Sequence, residues 1–111
     1  MFYATGQRYI KLEIMNMGYI IENYSILDKE NYIPPVKVIN EALAKYNGKF
    51  LVATPKAETL SGNPLEVVIV MEFDSVESAK SFYMSDDYKE YKDLFNNTTQ
   101  GWVLLSGGYN N

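Results

Sequence analysis

The stretch Glu66-Val67-Val68-Ile69-Val70-Met71-Glu72-Phe73 decides the fold. It is dense in β-branched residues and reads as a strand. Successive side chains on a strand point to opposite faces. Val68 and Val70 therefore share one face, and Val67, Ile69 and Met71 share the other. Both faces are apolar, as in a central strand covered on both sides.

C-terminal to this strand, Asp74 with Glu77 three residues on forms a capping-box-like helix start, with aspartate in the Ser/Thr place. Val76, Ala79, Phe82 and Tyr83 then follow at helical spacing. Ser85-Asp86-Asp87 reads as a second cap, and Tyr88, Tyr91 and Phe95 mark one further short helix. Gln100–Ser106 is the last strand, closed by Gly107-Gly108.

Toward the N-terminus, Pro55–Pro64 is a polar loop and Lys49–Thr54 a strand. Asn47-Gly48 ends the preceding helix, glycine being suited to a left-handed C-terminal position. Tyr32, Val36, Ile39, Leu43 and Tyr46 form one helical stripe. Pro34-Pro35 interrupts it, so either a short turn from Asp28 precedes a helix beginning near Pro34, or one helix is kinked there. Tyr19–Ile26 is a strand, and Arg8–Ile14 alternates like a half-exposed edge strand or arm. Two βαβ units in succession give the split-βαβ, ferredoxin-like pattern: an α+β fold with an antiparallel sheet and helices on one face. The division is an arm over residues 1–17 and a domain over 18–111.

Helices on one face leave Val68 and Val70 uncovered. The same sheet of a second subunit is the simplest cover, which predicts a homodimer built as an α/β barrel.

Composition narrows the chemistry. The net charge is −4, with a single arginine (Arg8) and scattered lysines, so no basic footprint for nucleic acid emerges. No apolar run approaches the ~18 residues of a membrane span, and Met1–Gly6 lacks a signal-peptide pattern; cytoplasm is the expectation. Cysteine is absent, which excludes disulfides and thiolate chemistry. Histidine is absent too, removing the usual general base and the commonest zinc ligand. Acid–base work falls to Asp, Glu, Lys or the ten tyrosines.

The segment Gly18-Tyr19-Ile20-Ile21, with Asp28, Tyr32, Pro35, Tyr46–Val52, Gly62, Val68–Phe73, Ala79 and Phe82–Tyr88, resembles domain-of-unknown-function family 1330 over about residues 17–108. The resemblance implies dimeric α/β barrels, two ferredoxin-like sheets facing each other, and little about chemistry. Asn47 stands where that family usually has a second glycine, and Phe82 where it often has tryptophan.

Six residues are candidate site residues. Glu72 shares a face with Val68 and Val70, where burial between two sheets would raise its pKa and suit it to acid–base catalysis. Tyr88 offers a hydroxyl at a pocket mouth, the second catalytic candidate. Glu22, between Ile20 and Tyr24 on one face, would share the cavity as a ligand-binding carboxylate. Asp28 and Tyr32 match the resembled family's motif, although a cap explains Asp28 well enough and core packing is the default for a stripe such as the one Tyr32 heads. Trp102, the sole tryptophan, would wall a ligand cavity or anchor an interface. Ser85 has no familiar activating base, Asp86, Asp87 and Glu90 lack a calcium-loop pattern, and the glycine loops lack phosphate-cradling spacing. No metal and no cofactor are expected.

The expected function is binding of a small apolar or aromatic molecule between sheet and helices. Two alternatives stand beside it: a cofactor-independent isomerase or oxygenase using Glu72 with a tyrosine, and a structural dimer filled by its own side chains.

Overall fold

The structure is a computed structural model and describes residues 16–109. The expected arm over Arg8–Ile14 lies outside the described residues. Four strands, β1 (Gly18–Ile26), β2 (Gly48–Thr54), β3 (Val67–Phe73) and β4 (Thr99–Gly107), form one antiparallel sheet in the order β2-β3-β1-β4. Four helices, α1 (Pro35–Val38), α2 (Asn40–Lys45), α3 (Val76–Tyr83) and α4 (Asp86–Thr98), complete the ferredoxin-like α+β fold. Among the described residues, no helix is long and apolar enough to cross a membrane.

The pleat sorts the side chains. Ile20, Glu22 and Tyr24 of β1 and Val67, Ile69, Met71 and Phe73 of β3 are buried against Ile39, Leu43, Ala79, Phe82, Tyr88, Tyr91 and Phe95 of the helical layer. Each large apolar side chain so buried contributes roughly 1.5–3 kcal/mol of transfer free energy. The opposite face carries Ile21, Val68 and Val70, half-buried, with Val52, Trp102 and Leu104 exposed beside them.

Several local expectations change. The Pro34-Pro35 question resolves as a turn from Asp28 followed by a helix opening at Pro35, and Ile39 interrupts the helix again. The interruption rotates the stripe: Ile39 and Leu43 are buried, whereas Val36 faces solvent. The left-handed residue ending α2 is Asn47, at φ 59°. Gly48 is needed for space, because a Cβ there would lie 2.6 Å from the Leu43 side chain and 2.7 Å from Phe73. The cap of α3 is Ser75, whose hydroxyl accepts the Ser78 N–H at 2.9 Å. Asp74 instead accepts a hydrogen bond from the Asn47 side-chain amide. The Tyr88 helix spans Asp86–Thr98 and is the longest of the four, capped by Ser85 as its sequence indicates. Glu66 lies just outside β3 and accepts a hydrogen bond from the Ile26 N–H.

Asn23, nearly buried in β1, ties the long β2–β3 loop to the sheet. Its amide donates to Leu65 O at 3.1 Å and Val67 O at 2.8 Å, and its Oδ1 accepts the Leu65 N–H at 3.1 Å. Asn23→Ala leaves those backbone groups unpaired and is predicted to lower unfolding stability by about 2 kcal/mol, read as a lower urea midpoint with an unchanged slope at fixed protein concentration.

Candidate functional site

The site is built around Glu22. Strand β1 is central, and Glu22 lies on its inward face between Ile20 and Tyr24, with 0% of its surface exposed. Its neighbours across the sheet are Ile69 on β3 and Val103 on β4. Above it, α4 presents Tyr88, whose hydroxyl donates to Glu22 Oε2 at 3.3 Å. The other carboxylate oxygen, Oε1, is buried without a hydrogen-bond partner, as is the hydroxyl of Tyr91.

An aromatic cluster encloses this carboxyl group. Tyr88 and Tyr91, three residues apart on one face of α4, pack with ring centroids 5.6 Å apart and planes tilted by 52°. Tyr24 meets Phe95 edge-on at 4.7 Å, and its hydroxyl pairs with that of Tyr32 at 2.7 Å. Tyr83 lies 5.2 Å from the Tyr88 ring, with the Lys92 ammonium 4.3 Å above Tyr83. Two apolar clefts flank the cluster. One, of about 210 Å³, is lined by Ile20, Tyr83, Met84, Val103 and Leu105, with Lys80 beside them. The other, of about 100 Å³, is lined by Tyr32, Pro35, Val36, Ala53 and Ile69. Glu22 lies between Val103 and Ile69, so each cleft includes one of its cross-strand neighbours.

The sequence-predicted residues divide between the two faces of the sheet. Glu22, Tyr32 and Tyr88 come together on the helical side. Glu72 and Trp102 lie on the opposite side, so the expectation that Glu22 and Glu72 share a cavity is overturned: alternation puts even-numbered β1 residues inward and even-numbered β3 residues outward. For the same reason Glu72 and Tyr88 do not meet. Glu72 accepts the Tyr19 hydroxyl at 3.0 Å and faces the Lys49 ammonium at 3.6 Å. Trp102 is 44% exposed and walls neither cleft. Asp28 holds the turn before α1, accepting hydrogen bonds from the Asn31 backbone and side chain, which hold its pKa below the usual value. Tyr24 and Tyr91 belong to the site but were not singled out from the sequence. Their signal is a lone carboxylate on an otherwise apolar inward strand face, together with a tyrosine stripe on a helix. Among the described residues, no group of three or more His, Cys, Asp or Glu could hold a metal ion.

Burial dominates the electrostatics. It pushes the Glu22 carboxyl up from 4.5 to about 7, against the opposing hydrogen bond from Tyr88. Burial, reinforced by the Glu22 charge, also holds the Tyr88 and Tyr91 hydroxyls well above their usual range. They remain protonated donors throughout neutral pH. The folded chain thus retains a proton on Glu22 between pH 4.5 and about 7 that the unfolded chain releases. Stability from this group is fully present below 4.5, falls as pH rises through that window and levels off above about 7. The two plateaus differ by roughly 3 kcal/mol. Thermal melts of wild type and Glu22→Gln between pH 5 and 8 test this: the wild type is predicted to lose stability relative to the variant as pH rises, and parallel profiles would exclude the buried, protonated carboxyl.

Solved structures share this fold. A Rhodopseudomonas palustris protein of unknown function matches with a TM-score of 0.66 at 10% identity, over 97% of this chain and 94% of that one. A protein from Bacteroides fragilis, described as dimeric, of unknown function and of ferredoxin-like fold, matches with a TM-score of 0.51 at 14% identity, over 82% and 95%. A candidate antibiotic biosynthesis monooxygenase from Caulobacter crescentus matches with a TM-score of 0.51 at 13% identity, over 89% and 93%. At these identities the likeness is one of fold. No curated protein matches the sequence. The model of the family described as a domain of unknown function, DUF1330, matches residues 17–109, nearly the whole chain, and the protein belongs to that family.

Proposed function

We propose that the protein is a homodimer that binds one small apolar or aromatic molecule per subunit, between sheet and helices. One observation carries the binding: Glu22 is fully buried with an unpartnered carboxylate oxygen, beside apolar clefts rather than inside a closed polar network. Buried polar atoms are ordinarily hydrogen-bonded, so a group from outside the chain is a natural partner. The larger cleft is below the ~300 Å³ of drug-sized pockets, which suits a molecule of about one ring. Tyrosine and aliphatic walls supply apolar contact, and the carboxyl group supplies one polar anchor.

The dimer is supported by the outward sheet face. Ile21, Val52, Val68, Val70 and Leu104 make it apolar across all four strands, and Val52, Trp102 and Leu104 are exposed there. A second copy presents the same self-complementary surface, and sheets pack face to face through such layers. The dimeric Bacteroides fragilis protein shares the fold, which supports the same choice of partner. The Tyr19–Glu72–Lys49 group would then lie at the edge of that interface, where it serves pairing rather than chemistry.

Native mass spectrometry of the protein purified from its own host tests both parts. The predicted result is a dimer carrying a defined small molecule. A monomer would overturn the face-to-face dimer, and an empty dimer that takes up no small aromatic compound would overturn binding. Val70→Asp, which puts a charge in the middle of the outward face, is predicted to weaken the dimer by at least about tenfold in sedimentation experiments. Because Val70 points away from the helices, the fold should survive, checked by an unchanged far-ultraviolet circular dichroism spectrum.

A further inference from the structure

The cleft of about 210 Å³ beside β4 joins an apolar interior to one charged side chain. Ile20, 1% exposed, and the half-buried Val103 form its floor, with Tyr83, Met84 and Leu105 as walls. Lys80 of α3, exposed at the rim, is the single charged residue that lines it, and no carboxylate does. We infer that this cleft takes a small aromatic carboxylate, its ring inside and its negative charge at Lys80. The inference rests on the small-molecule reading above and specifies the charge of the ligand.

Charge complementarity carries the inference. The ion pairs among the described residues, Lys45 with Asp87 at 3.7 Å and Lys49 with Glu72 at 3.6 Å, use other lysines. Lys92 of α4 holds its ammonium 4.3 Å from the centre of the Tyr83 ring, so a second positive charge backs one wall of the cleft. The chain as a whole carries a net charge of −4, and two cations flanking an apolar recess reverse that sign locally. Lys80 also sits in the last turn of α3, where a cation complements the helix C-terminus. That role requires no ligand, and the experiment separates it from anion binding.

The surroundings select the rest of the molecule. An apolar cavity of about 150 Å³ suffices for benzene, so this cleft has room for one ring with a small substituent. The Tyr83 ring and the Met84 thioether favour an aromatic body over a sugar or other polyol. A phosphate or sulfate group calls for several converging donors, whereas this rim presents one lysine. A cationic ligand would be repelled by Lys80 and Lys92 together.

The test compares benzoate with nitrobenzene, which match in shape and differ in charge. Binding is followed at the Met84 methyl resonance of the full-length protein with isotope-labelled methionine methyl groups, because Met84 lines this cleft. Desolvation of a carboxylate would favour nitrobenzene in a cleft without a positive partner. The inference predicts the opposite order: benzoate binds about fivefold more tightly in dilute buffer, Lys80→Gln removes the preference and Lys80→Arg keeps it. A thermal melt verifies folding of both variants. Equal or tighter binding of nitrobenzene to the wild type, or a benzoate preference that survives Lys80→Gln, would overturn the charge inference while leaving the apolar cleft standing. Binding of neither compound to the wild type would overturn the cleft and the inference together.

Discussion

The two-residue alternation of the central strands is the constraint on which the rest of the molecule depends. Strands β1 and β3 are hydrogen-bonded neighbours in the middle of the sheet, so every side chain on them must face either the helices or the opposite side. A shift of one residue in either strand would exchange its two faces completely. Ile20, Tyr24, Ile69, Met71 and Phe73 hold the register, since exposing them would cost the core its largest apolar contributions. Glu22 is carried inward by the same register.

That placement makes one carboxyl group the electrostatic centre of the subunit. Desolvation alone would strongly disfavour a charge at this depth, and Tyr88 offsets it with a single hydrogen bond. The tyrosines around it pack as hydrophobes and also carry hydroxyls, so the same residues build the core and equip the site. Stability and the proposed binding are therefore opposed at Glu22. A hydrocarbon in its place would pack without a desolvation cost but would remove the polar anchor. The outward carboxylate, Glu72, lies in a different setting, paired at the sheet surface with Tyr19 and Lys49.

The fold was largely legible because its signals are local. The apolar run at Val67–Phe73, the serine before Asp86-Asp87 and the Asn47-Gly48 stop each follow from spacing or backbone preference. Errors arose where two local signals competed. Asp74 and Ser75 are both good caps, and only the chain direction leaving β3 selects the serine, freeing Asp74 to accept from Asn47. The stripe from Val36 to Tyr46 assumed a helix unbroken beyond Pro35, whereas the break at Ile39 turns Val36 to solvent.

The site was legible only in part. The sequence by itself determined the strands, the helices and the alternation within each strand, because those depend on neighbours a few residues apart. It also excluded thiol chemistry and histidine bases by composition. Which strand face met the helices, and hence which of Glu22 and Glu72 was buried, was decided by tertiary structure. The antiparallel pairing sets Glu22 opposite Ile69 and Glu72 opposite Tyr19, and only the helical layer distinguishes inside from outside. The approach of Tyr88 and Tyr91 on α4 to a carboxylate 66 residues from Tyr88 likewise depends on packing between elements, which no local spacing encodes.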